Sequence, residues 1–209
     1  MIAAAVTLAI GYLCGSLPFG LWLGQWFRGV DVRTLGSGNL GATNVFRSLG
    51  PRLGIATLLL DMLKGTLPVL LLPRTALGPA FPGGPDACAI ATALAAVLGH
   101  MFTFLAGFRG GKGVATTAGV VLALFPLSWV IAGSVFTITV ALTRYISLGS
   151  ILGALAFATV VALTAREPHV GLKIGFAVAV AALIIVRHHE NMRRLMRGEE
   201  RRISWRRAL

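Results

Sequence analysis

Apolar residues in this chain come in long unbroken stretches, not in the short periodic runs of a soluble protein. The stretches cover residues 2–27, 53–72, 87–106, 114–145, 148–165 and 170–186. A helix needs about 20 residues, with a range of roughly 17–25, to cross a hydrocarbon core, so each stretch predicts at least one membrane span. The first is not a signal peptide: it has no basic start, and its first Lys or Arg, Arg28, stands at its far end. Pro18 predicts a kink in this span. Gly11-x3-Gly15 and Gly20-x3-Gly24 offer surfaces that another helix can approach closely. The stretch at 114–145 has 32 residues, long for one span and short for two, and is interrupted at Phe125-Pro126-Leu127-Ser128-Trp129.

Charge resolves that ambiguity. Arg28, Arg33, Arg47 and Arg52 flank the first polar loop, and Arg187, Arg193, Arg194, Arg197, Arg201, Arg202, Arg206 and Arg207 fill the C-terminal segment. Basic loops stay cytoplasmic, so an even number of spans must separate these clusters, and 114–145 splits into two short spans. The prediction is an all-α, polytopic integral membrane protein with seven transmembrane helices, N-terminus outside and C-terminus cytoplasmic. It forms a single domain over 1–209, with polar loops at about 28–52, 107–117 and 187–198 and a basic tail at 199–209. Composition agrees: 56% of residues are AVILMFWYC, 12% are charged, and mean hydropathy is +0.82. A soluble domain carries about 25% charged residues, so neither a soluble nor a disordered protein fits. The net charge of +12 then fits contact with anionic lipid, not nucleic acid. Cys14 and Cys88 lie inside apolar stretches and are expected to pack as small hydrophobes.

Candidate chemistry concentrates in the polar loops. Loop 1 reads Leu35-Gly36-Ser37-Gly38-Asn39-Leu40-Gly41-Ala42-Thr43-Asn44-Val45-Phe46-Arg47. Glycines such as Gly36 and Gly38 permit positive φ and close approach to a ligand, and successive N–H groups can form an anion-binding concavity. Ser37, Asn39, Thr43 and Asn44 add hydroxyl and amide groups, and Arg47 can grip a phosphate bidentately. A helix starting within 39–47 would add its N-terminal N–H groups. Loop 2 contains Arg109-Gly110-Gly111-Lys112-Gly113. It is not a P-loop, which needs Gly four residues before the Gly-Lys pair and Ser or Thr after the Lys; Ala106 and Gly113 occupy those places. Glycine N–H groups and the Lys112 ammonium still suit an anion. In the third segment, helical spacing puts His188 and Asn191 on one face and allows Glu190 to pair with Arg194. Asp61 and Lys64, three residues apart inside a span, are expected to pair, either structurally at its cytoplasmic end or in function. His100 is expected as an interfacial helix-end residue, and His169 as incidental. No His-Glu-x-x-His motif and no Mg²⁺-type carboxylate cluster is present, so neither metal nor cofactor is expected. No His is followed five positions later by Asp.

These strings resemble the bacterial acyl-phosphate:glycerol-3-phosphate acyltransferases of the PlsY family. The matching residues are 36–44 with Arg47; Gly99-His100 with 108–113; and Arg187-His188 with Asn191, Arg194-Leu195 and Gly198. Segments around Asp61-x2-Lys64-Gly65 and Ser147-Leu148-x-Ser150 also match, so the resemblance spans nearly the whole chain. It implies an inner-membrane enzyme with a cytoplasmic active site. The enzyme would move a fatty acyl group from acyl phosphate to the sn-1 hydroxyl of glycerol 3-phosphate, giving lysophosphatidic acid and phosphate, the first step of phospholipid synthesis. It also implies association with the enzyme that makes acyl phosphate. On this resemblance Ser37, Lys112, His188 and Asn191 are the catalytic candidates. Gly36, Gly38, Asn39, Thr43, Asn44, Arg47, Gly110, Gly111, Gly113, Ser147 and Ser150 are expected to bind substrate. A transporter for a phosphorylated or other anionic solute is the alternative, and it predicts polar residues near the midplane of both halves.

Overall fold

A computed structural model describes residues 1–203 of the chain; Arg206 and Arg207 of the expected basic tail lie outside the described residues. The described residues are helical, with no strand among them. Among the described residues six segments are long and apolar enough to cross a membrane: Ile2–Arg28, Pro51–Arg74, Gly84–Ala106, Pro126–Thr143, Ile146–Thr164 and Val170–Arg187. A further apolar helix, Val114–Leu124, has 11 residues. At 1.5 Å per residue it is about 16 Å long, short of a full crossing. The division of 114–145 therefore falls where the sequence places it, but unevenly. Pro126 has no N–H with which to continue the preceding helix and instead opens the next one.

The chain divides into two compact units, Met1–Leu124 and Phe125–Leu209. The first contains α1 (Ile2–Gly15), α2 (Phe19–Arg28), α3 (Ala42–Leu49), α4 (Pro51–Leu71), α5 (Leu77–Ala80), α6 (Gly84–Met101) and α7 (Val114–Leu124). Its centre is α6, whose Ala89, Ala93, Ala96 and Val97 are buried. Small residues bring backbones together here. A Cβ on Gly15 would strike the Ala96 carbonyl of α6, and one on Gly99 would strike the Tyr12 carbonyl of α1. The Gly11-x3-Gly15 surface thus serves a helix contact, as expected. Gly20 instead faces the Leu40 carbonyl of loop 1. Helices α4 and α7 approach in the same way at Gly65 and Gly119, where Thr66 Oγ1 donates to the Gly119 carbonyl at 2.9 Å.

Pro18 does more than kink the first span. It separates α1 from α2 through an inverse γ-turn, with Pro18 at φ −91°, ψ 66° and Phe19 N–H donating to the Leu17 carbonyl at 3.1 Å. The turn bond from Phe19 uses one lone pair of the Leu17 carbonyl and leaves the second for a donor from elsewhere.

The second unit contains α8 (Pro126–Thr143), α9 (Ile146–Thr164), α10 (Val170–Arg187) and α11 (His189–Met196). Gly149 of α9 packs against Phe136 and Val140 of α8. Phe125, Phe157 and Phe176 form an aromatic cluster with centroids 5.8–6.3 Å apart. Outward-facing leucines and isoleucines, including Leu59, Leu67, Leu71, Ile138, Leu142 and Leu163, are exposed. Lipid rather than water is the solvent that such faces fit.

Candidate active site

Loop 1 is rigid because it carries its own core. Val32 and Leu40 of the loop, with Val45 of α3 and Leu21 of α2, are all at most 5% exposed and pack with Ala106, which ends the third span just before loop 2. Each such side chain contributes about 1.5–3 kcal/mol by leaving solvent. Asn44 supplies the polar half of this anchor. Its Oδ1 accepts from the Ser37 N–H at 2.9 Å, and its Nδ2 donates to the carbonyls of Val32, Leu35 and Asn39 at 3.2, 3.0 and 2.9 Å. Asn44 thus binds the loop to itself with all its polar atoms. Asn39 closes a tighter turn, its Oδ1 accepting from Gly41 N–H at 2.8 Å. Gly36 and Gly38 both have positive φ, 59° and 68°, a conformation that costs glycine little. Between them Ser37 is held on an exposed crest. The following helix begins at Ala42 with no side-chain cap, which places Thr43 in its first turn. Arg47 projects from α3 and is exposed.

Loop 2 leaves α6 and folds back on it. Gly111 N–H donates to the His100 carbonyl at 3.1 Å and Gly110 N–H to the Met101 carbonyl at 3.2 Å. These bonds satisfy carbonyls that the end of α6 would otherwise leave open. The N–H groups of Gly110 and Gly111 therefore serve the fold. What loop 2 presents to an anion is the half-buried Lys112 and the start of α7, which follows Gly113.

Beneath both loops lies an ionic cluster that sequence reasoning only half foresaw. Lys64 Nζ stands 2.7 Å from Asp61 Oδ1 and donates to the Leu17 carbonyl at 2.7 Å. It also lies over the Phe19 ring, 5.7 Å from the centroid. His100 Nδ1 is 3.7 Å from the same Asp61 oxygen. Asp61, Lys64 and His100 are 1%, 6% and 5% exposed. The expected Asp61–Lys64 pair is present, but Asp61 is the eleventh of the 21 residues of α4, mid-helix and not at its end. His100 stands in the last turn of α6, as expected of a helix-end residue, but it is a buried member of the cluster. A narrow cleft is lined by Leu17, Leu40, Asp61, Lys64, His100 and Gly111, so both loops and the cluster open onto one space.

The second unit brings together the third motif and a residue not anticipated, Glu200. Its Oε1 accepts from Ser147 Oγ at 2.7 Å and Asn191 Nδ2 at 2.6 Å, and its Oε2 from Arg194 Nε at 2.8 Å. Burial pushes the Glu200 carboxyl upward, but hydrogen bonds from Arg194, Asn191 and Ser147 outweigh it and hold it below its ordinary 4.5. Gly198 is what aims it. At φ 71° it ends α11 in a Schellman turn, with Gly198 N–H bonded to the Leu195 carbonyl and Glu199 N–H to the Arg194 carbonyl. The Gly-x-Glu ending of the motif was the available signal. Glu200 also overturns the expected Glu190–Arg194 pair: Arg194 is drawn to the buried carboxylate, and Glu190 binds Arg193 instead, at 2.9 Å. His188 joins α10 to α11 and its Nδ1 faces the Ile184 carbonyl at 2.8 Å. A carbonyl only accepts, so Nδ1 carries the hydrogen, and in the neutral ring Nε2 holds the lone pair. Ser150 Oγ turns back to the Ile146 carbonyl at 2.9 Å. Among the described residues no His, Cys, Asp or Glu group has the makings of a metal site.

The described glycerol-3-phosphate acyltransferase family model matches residues 5–198. The chain belongs to this family. A glycerol-3-phosphate acyltransferase of Geobacter sulfurreducens is 48% identical over 204 residues, covering 98% of this chain and 100% of that protein. One from Streptococcus equi subsp. zooepidemicus is 44% identical over 93% of this chain and 89% of its own length. The fold agrees with the crystal structure of PlsY, an integral membrane glycerol 3-phosphate acyltransferase in its glycerol 3-phosphate form. That match has a TM-score of 0.85, 38% identity and 96% coverage of both chains. The lysophosphatidic acid form of PlsY matches with a TM-score of 0.83 and 36% identity. This acyltransferase is therefore a multi-pass integral membrane enzyme, and the transporter alternative falls away.

Proposed function

We propose that the enzyme transfers a fatty acyl group from acyl phosphate to the sn-1 hydroxyl of glycerol 3-phosphate, releasing phosphate and lysophosphatidic acid, and so opens phospholipid synthesis. The observation that carries this reading is the one cleft that Leu40 of loop 1 and Gly111 of loop 2 both line, with Arg47 and Lys112 on the elements that carry them. Both substrates are phosphate anions, and bringing them together costs Coulomb energy that two cations offset. The acyl carbonyl is attacked by the glycerol hydroxyl, and the bond to phosphate breaks. Phosphate leaves readily without a strong acid. Ser37 on its crest donates toward the developing oxyanion, Arg47 and Lys112 hold phosphate, and Asn44 and the glycines keep the loops in place. His188 and Asn191 are assigned a catalytic role on the strength of the third motif alone. Asp61 is bound to Lys64 and 1% exposed, which suits no base; a substrate phosphate oxygen accepts the hydroxyl proton. The relative whose crystal structures hold glycerol 3-phosphate and lysophosphatidic acid supports the acceptor and product. An acyl phosphate donor also fits association with the enzyme that makes it.

Purified enzyme should release phosphate from acyl phosphate only when glycerol 3-phosphate is present, and acyl-CoA or acyl-carrier protein should be poor donors. Turnover with acyl-CoA as fast as with acyl phosphate would sink the donor assignment.

The orientation belongs to the same proposal: the motif loops face the cytoplasm across the inner membrane, on the strength of the arginine distribution. In a background lacking Cys14 and Cys88, cysteine at exposed Arg109 should be shielded from an impermeant thiol reagent in cells with a permeabilised outer membrane. Cysteine at exposed Ala76 should react. The reverse labelling pattern would invert the topology.

A further inference from the structure

We propose that Asp61, Lys64 and His100 form the positioning device of the glycerol 3-phosphate site, fixing loop 2 and the broken first span in one register. His100 is the contact between the cluster and the loop. Its carbonyl accepts from Gly111 N–H at 3.1 Å. Its ring packs so closely on Gly111 that a Cβ there would strike Nε2. On its other edge Nδ1 faces Asp61 Oδ1 at 3.7 Å. Asp61 in turn holds Lys64 at 2.7 Å, and Lys64 ties to the Leu17 carbonyl, also at 2.7 Å. From Leu17 the chain leads through Pro18 to Gly20, which packs on the Leu40 carbonyl of loop 1. A continuous train of contacts therefore runs from loop 2 through three buried side chains to loop 1.

A buried ion pair is weak support for stability alone, since two apolar residues of similar size often serve as well. What apolar residues cannot do is orient an imidazole. The charges in this cluster set the angle of the His100 ring, and the ring sets where Gly111 and Lys112 stand. The three act through the loop as positioning residues. The inference rests on the reading of loop 2 as a phosphate loop.

The test is steady-state kinetics with both substrates, alongside thermal melting in detergent. His100→Ala should raise KM for glycerol 3-phosphate about tenfold or more, leave KM for acyl phosphate within about threefold, and melt near the wild type; each tenfold is one unit of log equilibrium. His100→Gln, which restores a polar end beside Gly111, should recover most of the loss. Asp61→Asn alone strands the Lys64 charge and is expected to misfold, so the informative variant is the double Asp61→Leu with Lys64→Met. It should melt like the wild type yet keep the raised KM for glycerol 3-phosphate. A double variant with wild-type KM, or a His100→Ala that lowers kcat and raises both KM values in step with its melting temperature, would overturn the inference. Lys112→Ala separates the two readings. If it leaves KM and kcat unchanged, the phosphate-loop reading itself is lost. If it impairs them while His100→Ala does not, only the positioning device is lost.

Discussion

Glu200→Ala should destabilise the folded enzyme by about 2–6 kcal/mol, since it leaves two buried donors, the Ser147 hydroxyl and the Asn191 amide, unsatisfied at about 1–3 kcal/mol each. Three donors converge on that carboxylate, from Ser147 at the start of α9, Asn191 of α11 and Arg194 of α11. Alanine would strand Ser147 and Asn191, while Arg194, 39% exposed, would return to water. Activity should fall with the folded fraction, and melting in detergent should show a lower midpoint. Glu200→Gln keeps the shape and loses the charge, so its loss should be smaller, about 1.5–3 kcal/mol. The two variants also fix the sign of the pH dependence. Because the folded carboxyl lies below its ordinary 4.5, its advantage over glutamine is fully present above that value. It fades as the pH falls through the folded value. Melting midpoints of wild type and Glu200→Gln, compared from neutral pH downward, should converge in acid. A gap that stays constant would mean the carboxylate carries no charge in the fold.

Arg47→Lys and Lys112→Ala should each lower catalytic efficiency by about 10- to 150-fold, which corresponds to one charge-assisted contact of roughly 1.5–3 kcal/mol. The two losses should differ in kind. Arg47 extends from α3 as a planar fork, which an ammonium cannot copy, so Arg47→Lys should act mainly on KM for glycerol 3-phosphate. Lys112 is half-buried just before α7 and is expected nearer the transferred group, so Lys112→Ala should lower kcat as well. The exposed Arg197, at the end of α11, is the control: Arg197→Ala should be nearly silent. Wild-type constants in both Arg47→Lys and Lys112→Ala would reduce the loops to ordinary basic turns.

Much of this was legible in the sequence because membranes enforce simple rules. Long apolar stretches, the Phe125-Pro126 interruption and the glycine-rich loops each have a local cause and could be read locally. Asp61 and Lys64 could be paired from spacing alone, since three residues is nearly one helical turn. His100 could not be joined to them, because that contact exists only once α6 packs against α4. Pro18 signalled a disturbance, but whether a helix bends or breaks depends on what receives the freed carbonyl, and that partner is 47 residues away. Glu200 was invisible for a related reason: its three donors come from two helices, and only the turn at Gly198 brings it beneath them. Asn44 was legible as a loop amide, yet its fourfold hold on the loop backbone follows from geometry that no spacing rule encodes.

The break at Pro18 also bears on how the enzyme is made. A lysine near the middle of a membrane helix costs about 2.5–3.5 kcal/mol on insertion, and Asp61 one turn away adds a second charge. Neither is settled by α4 alone, for Lys64 also needs the Leu17 carbonyl exposed by the γ-turn. Lys64 is therefore fully partnered only once α4 has packed against the broken first span.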